Sequence, residues 1–304
     1  MRRKVVIDCD PGQDDAVALL LAFGEPDRLD LQAITVVAGN VPLAWTTTNA
    51  RRVATLGGRL DVPIYAGCPR PLVNPLVTAE HVHGESGLDG AELPPAEVDL
   101  APGHAVDRLI ELAHAHDGLV ICATGPLTNV AMALVKDPSI APKLGRIVLM
   151  GGSIGHGNVT PSAEFNIYVD PHAARVVFES GVPIAMLGLD VTEQVRPTPE
   201  RRARIREIGN GVGPIVADLL SFYAEQALDG GALHDPVAVG YLLEPELFTG
   251  RDCFVEIVTD GACAGRTVVD WRAGTGRPPN ARVIDSVDAD AFFELLVQSL
   301  SRLA

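Results

Sequence analysis

Apolar segments of strand length alternate with helical patterns along the first two thirds of this chain, and this order constrains its fold more than any other feature. The strand-like segments lie at residues 4–9, 30–37, 62–65, 119–123, 146–150 and 183–187. Neighbouring parallel strands need a long crossover between them, and the crossover is usually a helix. The alternation therefore predicts an α/β fold with an open, mostly parallel (Rossmann-like) sheet flanked by helices.

The last third of the chain has a different pattern. Helical segments at 199–208 and 212–227 are followed by a hairpin of 254–258 with 267–269 and by a closing helix at 289–303. No internal repeat or linker-like stretch interrupts the 304 residues. We therefore expect a single domain, residues 1–304, with extra C-terminal helices and a hairpin beside the parallel sheet.

Four carboxylates fall within eight residues at the end of the first strand-like segment: Asp8, Asp10, Asp14 and Asp15. The strand's period of two places Asp8 and Asp10 on one face, and the other two acids open a helix whose N-terminus favours negative charge. Open α/β sheets bind ligands at the carboxyl ends of their strands, and crowded carboxylates need a cation or strong donors. The run predicts a metal site, although Asp14 and Asp15 also suit ordinary roles at a helix start.

Polar residues also close the later strand-like segments. They are Asn40, Thr124, the Gly151-Gly152 pair and Asp190, and a further group follows at Asn158, Glu164 and Asn166. Amides and carboxylates donate to or accept from hydroxyl groups, so this set suits the binding of a sugar. The alternative is that Asn158 is only a loop residue and Glu164 a solvated one.

Histidines occur in two segments of interest. His81, His83 and Glu85 lie in a long aperiodic segment, 69–102, of the kind that is usually functional or mobile. Their spacing permits a zinc site, but it fits better a loop that presents a polar group over a ligand. The other segment is His234 followed by Asp235-Pro236, which also suits a simple helix start.

Composition excludes several partners and compartments. A formal net charge of −15 argues against nucleic acid or an anionic membrane as a partner. The chain holds no apolar stretch of membrane-spanning length, and its first residues do not predict a signal peptide. Five cysteines without a C-x-x-C pair suggest reduced thiols, and hence a cytoplasmic protein.

Seven short motifs occur in order along the chain: DCDPGQDD from Asp8, AGN at Ala38–Asn40, HGESG from His83, ATGPLTN from Ala123, LMGG from Leu149, AEFN from Ala163 and HDP from His234. Together they resemble the motifs of the nucleoside hydrolases, the inosine-uridine preferring type of ribohydrolase. The resemblance runs from residue 4 to about 245 and more weakly to the C-terminus. It implies hydrolysis of the N-glycosidic bond of ribonucleosides in nucleoside salvage or catabolism, by a homodimer or homotetramer.

The resemblance also implies a role for each matching residue. One Ca²⁺ per subunit would be held by Asp10, Asp15, Asp235 and the carbonyl of Thr124, an all-oxygen set that suits a hard cation. The ribose contacts would be Asp14, Asn40, Asn158, Glu164, Asn166 and Asp235, with Asp8 as a supporting acid. His83 and His234 would lie near the base.

The implied mechanism follows from these roles. Asp10 would take a proton from a calcium-bound water that attacks C1′ of the ribose, and the bond to the base would break through an oxocarbenium-like state. His234 would be the acid that protonates the leaving base, because imidazole titrates near neutral pH. His83 and Tyr223 would be the next candidates for that acid.

Two points stay open in the sequence. The residues around Tyr223 depart from the family's pattern before the HDP element, so the preference for purine or pyrimidine is undetermined. A phosphatase of the haloacid dehalogenase type also begins with a strand and D-x-D, but Gly12 stands where that family expects Thr or Val. A non-catalytic nucleoside- or calcium-binding protein on the same fold is the other alternative.

Overall fold

A mixed sheet of eight strands runs through the part of the chain that the computed structural model describes, residues 2–227 and 230–304. In chain order the strands are β1 (Arg3–Cys9), β2 (Leu29–Val36), β3 (Ile64–Ala66), β4 (Leu119–Ala123), β5 (Leu144–Met150), β6 (Ile184–Leu187), β7 (Phe248–Cys253), β8 (Val255–Ile257), β9 (Thr267–Val269) and β10 (Ala281–Val287). The main sheet has the order β3-β2-β1-β4-β5-β6-β10-β7, and β8 pairs with β9 in a separate sheet. Among the described residues, only the β10–β7 pair of the main sheet is antiparallel, which confirms the predicted mostly parallel α/β sheet.

Helices cover both faces of this sheet. They are α1 (Gln13–Phe23), α2 (Leu43–Leu56), α3 (Glu80–His83), α4 (Ala105–Ala115), α5 (Thr128–Lys136), α6 (Phe165–Val169), α7 (Pro171–Phe178), α8 (Leu189–Thr192), α9 (Pro199–Arg206), α10 (Val212–Gln226), α11 (Asp235–Leu243) and α12 (Ala289–Leu300). Short 3-10 segments occur at Pro138–Lys143, Pro245–Leu247 and Gly261–Cys263. Within the described ranges, the helices include none that is both long and apolar enough to cross a bilayer.

Side-chain alternation along the strands builds two cores. On β1, Val5 and Ile7 belong to the core that contains residues of α1, α2, α10, α11 and α12, whereas Val6 points to the opposite face and belongs to the core that contains residues of α4, α5 and α7. All three side chains are buried, as expected for a parallel strand covered on both sides. Cys9 and Cys122 lie inside buried strands, as predicted.

The sequence pattern did not predict two strands of the main sheet. β10 lies parallel to β6 and antiparallel to β7, and together they extend the sheet at one edge. β7 is an edge strand with exposed polar residues, so it lacks the continuous apolar run by which buried strands are recognised. The predicted hairpin is confirmed as the β8–β9 pair.

The long segment 69–102 is held to the domain by side chains of its neighbours. Arg51 and Arg52 of α2 donate to the carbonyls of Val98 and Leu93, and Asp170 accepts from the Leu72 amide. The segment also contains α3, which carries His83. This loop is therefore anchored at several points, and it presents His83 from a fixed turn.

The strand order brings the predicted site residues together. β2, β1, β4 and β5 are adjacent and parallel, so the residues that follow their carboxyl ends share one edge of the sheet. Asn40, Asp10, Thr124 and Gly151 follow these four strands in that order. The edge is where an open α/β sheet places its ligand.

Candidate active site

A cavity of about 560 Å³ opens at this edge of the sheet. Its size is within the range of pockets for small molecules. Ten of the residues predicted for the site line it: Asp14, Asn40, His83, Thr124, Asn158, Glu164, Asn166, Tyr223, His234 and Asp235. They come from segments as distant in the chain as Asp14 and Asp235, and the fold alone brings them into one place.

Three carboxylates form a tight cluster at the cavity wall. Oxygens of Asp14, Asp15 and Asp235 all lie within 4.8 Å of one another, and all three side chains are buried. Asp15 accepts from the Thr124 hydroxyl at 2.8 Å and from the Gly12 amide at 3.1 Å. The Oδ1 of Asp14 is buried and has no hydrogen-bond partner among the described residues. Three buried carboxylates this close together, one of them with an oxygen that lacks a donor in the described chain, favour a bound cation.

Asp10 is adjacent to this cluster and is held between two glycines. Its Oδ2 accepts from the Asn40 amide at 2.7 Å, whereas its buried Oδ1 has no partner in the described part of the chain. A Cβ on Gly39 would lie 2.1 Å from Oδ2, and a Cβ on Gly125 would lie 2.3 Å from Oδ1. Any side chain at either glycine would therefore displace the Asp10 carboxylate.

Burial and mutual repulsion raise the pKa of these acids. Burial is the main cause for Asp8 and Asp14, and it raises the pKa of each to about 7. Asp10 and Asp235 are raised well above their usual pKa by burial and then by the neighbouring carboxylates. A cation would offset both effects, so the residues present fit a metal site. Their ligand atoms are all oxygens, which suits a hard ion such as Ca²⁺ rather than zinc.

The cluster differs in one member from the predicted ligand set, which has Asp10 where the cluster has Asp14. Asp10 and Asp14 each have a partnerless buried oxygen among the described residues, so both offer a ligand atom to a cation. The Thr124 carbonyl accepts from Asn166 Nδ2 at 2.8 Å and retains a second lone pair. By contrast, His81, His83 and Glu85 do not form a metal-binding group in the described residues, and the zinc alternative gains no support.

The raised acids predict how the stability of the metal-free protein changes with pH. Asp8 and Asp14 have folded pKa values of about 7 against 3.8 unfolded, so the folded protein binds their protons more tightly. Their stabilising contribution is complete below the unfolded pKa and is lost as the pH rises through about 7. With chelator present, we expect a lower urea midpoint at about pH 8 than at about pH 5. Saturating Ca²⁺ should raise the urea midpoint more at the higher pH. An equal increase in the midpoint at both pH values would contradict this expectation.

Glu164 and its neighbours form part of the cavity lining. Glu164 is buried, not solvated: its carboxylate accepts from the amides of Gly152, Asn166 and Ile167 at 2.9 to 3.1 Å. It caps α6 in this way and keeps a fixed position. Asn158 is an exposed loop residue whose Oδ1 accepts from the Phe165 amide, and it nevertheless lines the cavity.

His83 is held by a glutamine that the sequence pattern did not single out. Gln13 is fully buried, and its Oε1 lies 2.6 Å from His83 Nδ1. The imidazole also stacks on Tyr223, with ring centroids 5.4 Å apart. Burial, and then the charges of His234 and His81, lower the pKa of His83 to about 3. His83 is therefore neutral at working pH, which argues against its predicted reserve role as the acid.

His234 is held by Thr192, which the sequence also did not indicate. Thr192 is fully buried at the end of α8, and its hydroxyl lies 2.8 Å from His234 Nδ1. This contact holds the ring through Nδ1 while His234 lines the cavity. No sequence signal marks Thr192, because it lies 42 residues from its partner.

Two other polar residues stand apart from the cavity. Asp8 is fully buried, and its Oδ1 accepts from Thr35 at 2.5 Å and from Asn129 at 2.8 Å. Those contacts tie β1 to β2 and α5, as a supporting acid would. Asp190, which also follows a strand, accepts from the Ile154 amide at 2.6 Å and lies outside the cavity lining.

The chain is similar to known proteins over nearly its whole length. A family model described as "Inosine-uridine preferring nucleoside hydrolase" matches residues 5–294. The pyrimidine-specific ribonucleoside hydrolase RihA of Escherichia coli O81 (strain ED1a) is 46% identical over 310 residues, 99% of each chain. RihA of Klebsiella pneumoniae subsp. pneumoniae is 45% identical over 311 residues, again 99% of each chain. The solved structure of a purine-preferring ribonucleoside hydrolase from Gardnerella vaginalis is similar with a TM-score of 0.91, at 33% identity and 98% of each chain.

Proposed function

Because this chain belongs to the inosine-uridine preferring nucleoside hydrolase family, we propose that it is a calcium-dependent N-ribohydrolase with a preference for pyrimidine ribonucleosides. The observation that carries the proposal is the juxtaposition of the buried carboxylate cluster with a cavity lined by amides, Glu164 and two histidines. Such a site would hold a cation and offers polar groups for ribose. It also offers aromatic and imidazole groups for a base.

The metal would be held by Asp10, Asp15, Asp235 and the Thr124 carbonyl, with Asp14 beside them. Calcium takes six to eight oxygen ligands, which leaves positions for water and for ribose hydroxyls. When bound, Ca²⁺ would lower the pKa of a coordinated water and orient the ribose. The oxygens of Asp10 and Asp14 that lack a partner in the described chain are the observation that supports this assignment.

The chain's own residues would then perform the hydrolysis. Asp14, Asn40, Asn158, Glu164, Asn166 and Asp235 would hold the ribose hydroxyls. Asp10 would accept a proton from the attacking water while the water oxygen bonds to C1′ and the bond from C1′ to the base breaks. The surrounding carboxylates would stabilise the positive charge that develops on the ribose ring. His234 would donate a proton to the leaving base, so the products are free ribose and the neutral base.

Removal of His234 should affect substrates according to their need for that proton. We expect His234→Ala to lower kcat on uridine by about 10²- to 10⁴-fold, the usual range for a general acid. The loss on inosine should differ clearly, since a purine is protonated at a different position. A 4-nitrophenyl riboside, whose phenolate leaves without protonation, should change less than about tenfold. Equal losses on all three would mean that His234 only positions the adjacent Asp235.

The preference for pyrimidines rests on the relatives. The two RihA proteins described as pyrimidine-specific are 45% and 46% identical to this chain, whereas the purine-preferring structure is 33% identical. All three are aligned over at least 98% of this chain, so the difference is not one of coverage. Of the two base classes, the pyrimidines are therefore better supported.

A panel of nucleosides tests the function directly. Inosine, adenosine, uridine and cytidine would be assayed for released ribose, with and without chelator. We expect release from uridine and cytidine to be fastest, and release from every substrate to fall when calcium is removed. Tight nucleoside binding without ribose release would instead favour the non-catalytic alternative. The homodimer or homotetramer rests on the family resemblance alone, and light scattering on the purified protein would test it.

A further inference from the structure

Gln13 makes three hydrogen bonds to the segment that carries His83. Its Nε2 donates to the His83 carbonyl at 2.9 Å and to the Asp89 carbonyl at 3.1 Å. Its Oε1 lies 2.6 Å from His83 Nδ1. Gln13 is 0% exposed, so water does not compete for these contacts.

These contacts determine the orientation of the glutamine amide. Two carbonyl oxygens lie on one side of the group, and carbonyls only accept, so the NH₂ must face them. The opposite orientation would put Oε1 against two carbonyl oxygens and leave a buried repulsion. Oε1 therefore faces His83 Nδ1, and because Oε1 can only accept, Nδ1 must carry the proton.

The other ring nitrogen is then an acceptor. A neutral imidazole has a single N–H, so Nε2 holds a lone pair when Nδ1 is protonated. A Cβ on Gly12 would lie 2.5 Å from Nδ1 and 2.9 Å from Cε1, so that edge of the ring packs on the Gly12 backbone. His83 lines the cavity, and Nε2 makes no hydrogen bond to another residue in the described ranges. The low pKa of His83 is consistent with a neutral ring.

We propose that Gln13 is a positioning residue that fixes the Nδ1–H tautomer of His83, so that Nε2 accepts a hydrogen bond from an N–H of the substrate base. The N3–H of uracil is a donor of this kind. The proposal rests on the proposed function for its ligand, but the tautomer itself is a property of the free protein. The proposal also makes His83 a residue that recognises the base and not one that donates a proton to it.

The tautomer is measurable without substrate. In the 304-residue chain labelled with ¹⁵N-histidine, His83 would be assigned by the signal that disappears in His83→Gln. We expect its Nδ1 to resonate as a protonated nitrogen and its Nε2 as an unprotonated one at neutral pH. A protonated Nε2 in the wild-type protein would overturn the proposal, whatever the activity.

A pair of substrates tests the acceptor role. 3-Methyluridine lacks the N3–H of uridine, so the wild-type enzyme should lose about 10- to 100-fold in kcat/KM on it, as expected when a buried acceptor is left unpaired. Gln13→Met keeps the chain length but removes the contact that sets the tautomer. In Gln13→Met the ratio of kcat/KM on uridine to kcat/KM on 3-methyluridine should fall to about threefold or less.

Asn49→Leu provides the matched control. Asn49 Nδ2 donates to the Pro11 and Ser86 carbonyls at 2.9 and 2.7 Å, so it anchors the same turn without contacting the imidazole. We expect Asn49→Leu to affect both substrates alike and to leave the His83 signals unchanged. If the ratio of kcat/KM on uridine to kcat/KM on 3-methyluridine fell in both variants, Gln13 would only anchor the loop. An unchanged ratio in Gln13→Met would mean that the methyl group is excluded by shape, which overturns the acceptor role.

The outcomes also separate this proposal from the proposed function. If no nucleoside releases ribose, the function fails while the tautomer can still be observed. If ribose is released but Nε2 carries the proton, only the role of Gln13 fails.

Discussion

Asp10→Asn should lower kcat on uridine by at least about 1,000-fold, which is ~4 kcal/mol at ~1.4 kcal/mol per tenfold. The Asn40 amide donates to Oδ2 of Asp10, so the amide oxygen of the substituted side chain would keep that position. Its NH₂ would then occupy the place of Oδ1, the buried oxygen that has no partner in the described chain. The variant therefore replaces a basic oxygen by a donor and also removes one unit of charge from the metal site.

Asp8→Asn is the matched comparison for this variant. Asp8 is equally buried and lies on β1, two residues before Asp10, but its Oδ1 contacts Thr35 and Asn129 rather than the cavity. Burial raises the pKa of Asp8 to about 7, so a neutral amide is a close substitute for the protonated acid. We expect the loss of kcat in Asp8→Asn to be at least about 100-fold smaller than in Asp10→Asn. If Asp10→Asn costs only about tenfold, another group activates the water.

Removal of the metal should abolish ribose release and leave the fold in place. Oxygens of Asp14, Asp15 and Asp235 lie within 4.8 Å of one another, and without a cation they share protons or repel. The two cores lie on either side of the sheet and do not depend on these acids, so the far-UV circular dichroism should stay nearly unchanged. Activity should drop by at least about 100-fold on chelation, because metal ions supply several kcal/mol in such reactions.

Repletion identifies the ion. Calcium added to the stripped protein should restore the rate, and zinc should not, because all the available ligand atoms are oxygens. Isothermal titration with Ca²⁺ should give one site per chain, and Asp15→Asn should weaken that binding. Full activity in a preparation shown by elemental analysis to hold no metal would refute the assignment.

The sequence was informative where local chemistry repeats a known pattern. The alternation of apolar runs predicted the parallel sheet, and the polar residues at strand ends predicted the edge at which a site would form. Asn40 and Thr124, which follow strands, line one cavity together with three residues that other motifs indicated, Glu164, Asn166 and Asp235. Asp190 has the same position after a strand but is used to hold Ile154. Strand-end position therefore predicts proximity to the site, but it does not predict which way a side chain is turned.

By itself the sequence determined the order of the elements, the acidic character of the site and the residue types available for catalysis. These follow from hydrophobic period and from chemistry carried by single residues. Only the tertiary structure decided which groups are paired: Gln13 with His83 across 70 residues, Thr192 with His234 across 42, and Asp14 with Asp15 and Asp235. The pairing of strands β7 and β10 was also decided only by the tertiary structure, because the packing of the sheet, and not their own polar sequences, determines their partners. The physical reason is that hydrogen bonds and carboxylate repulsion depend on distances of a few ångströms, and packing of the whole chain sets those distances.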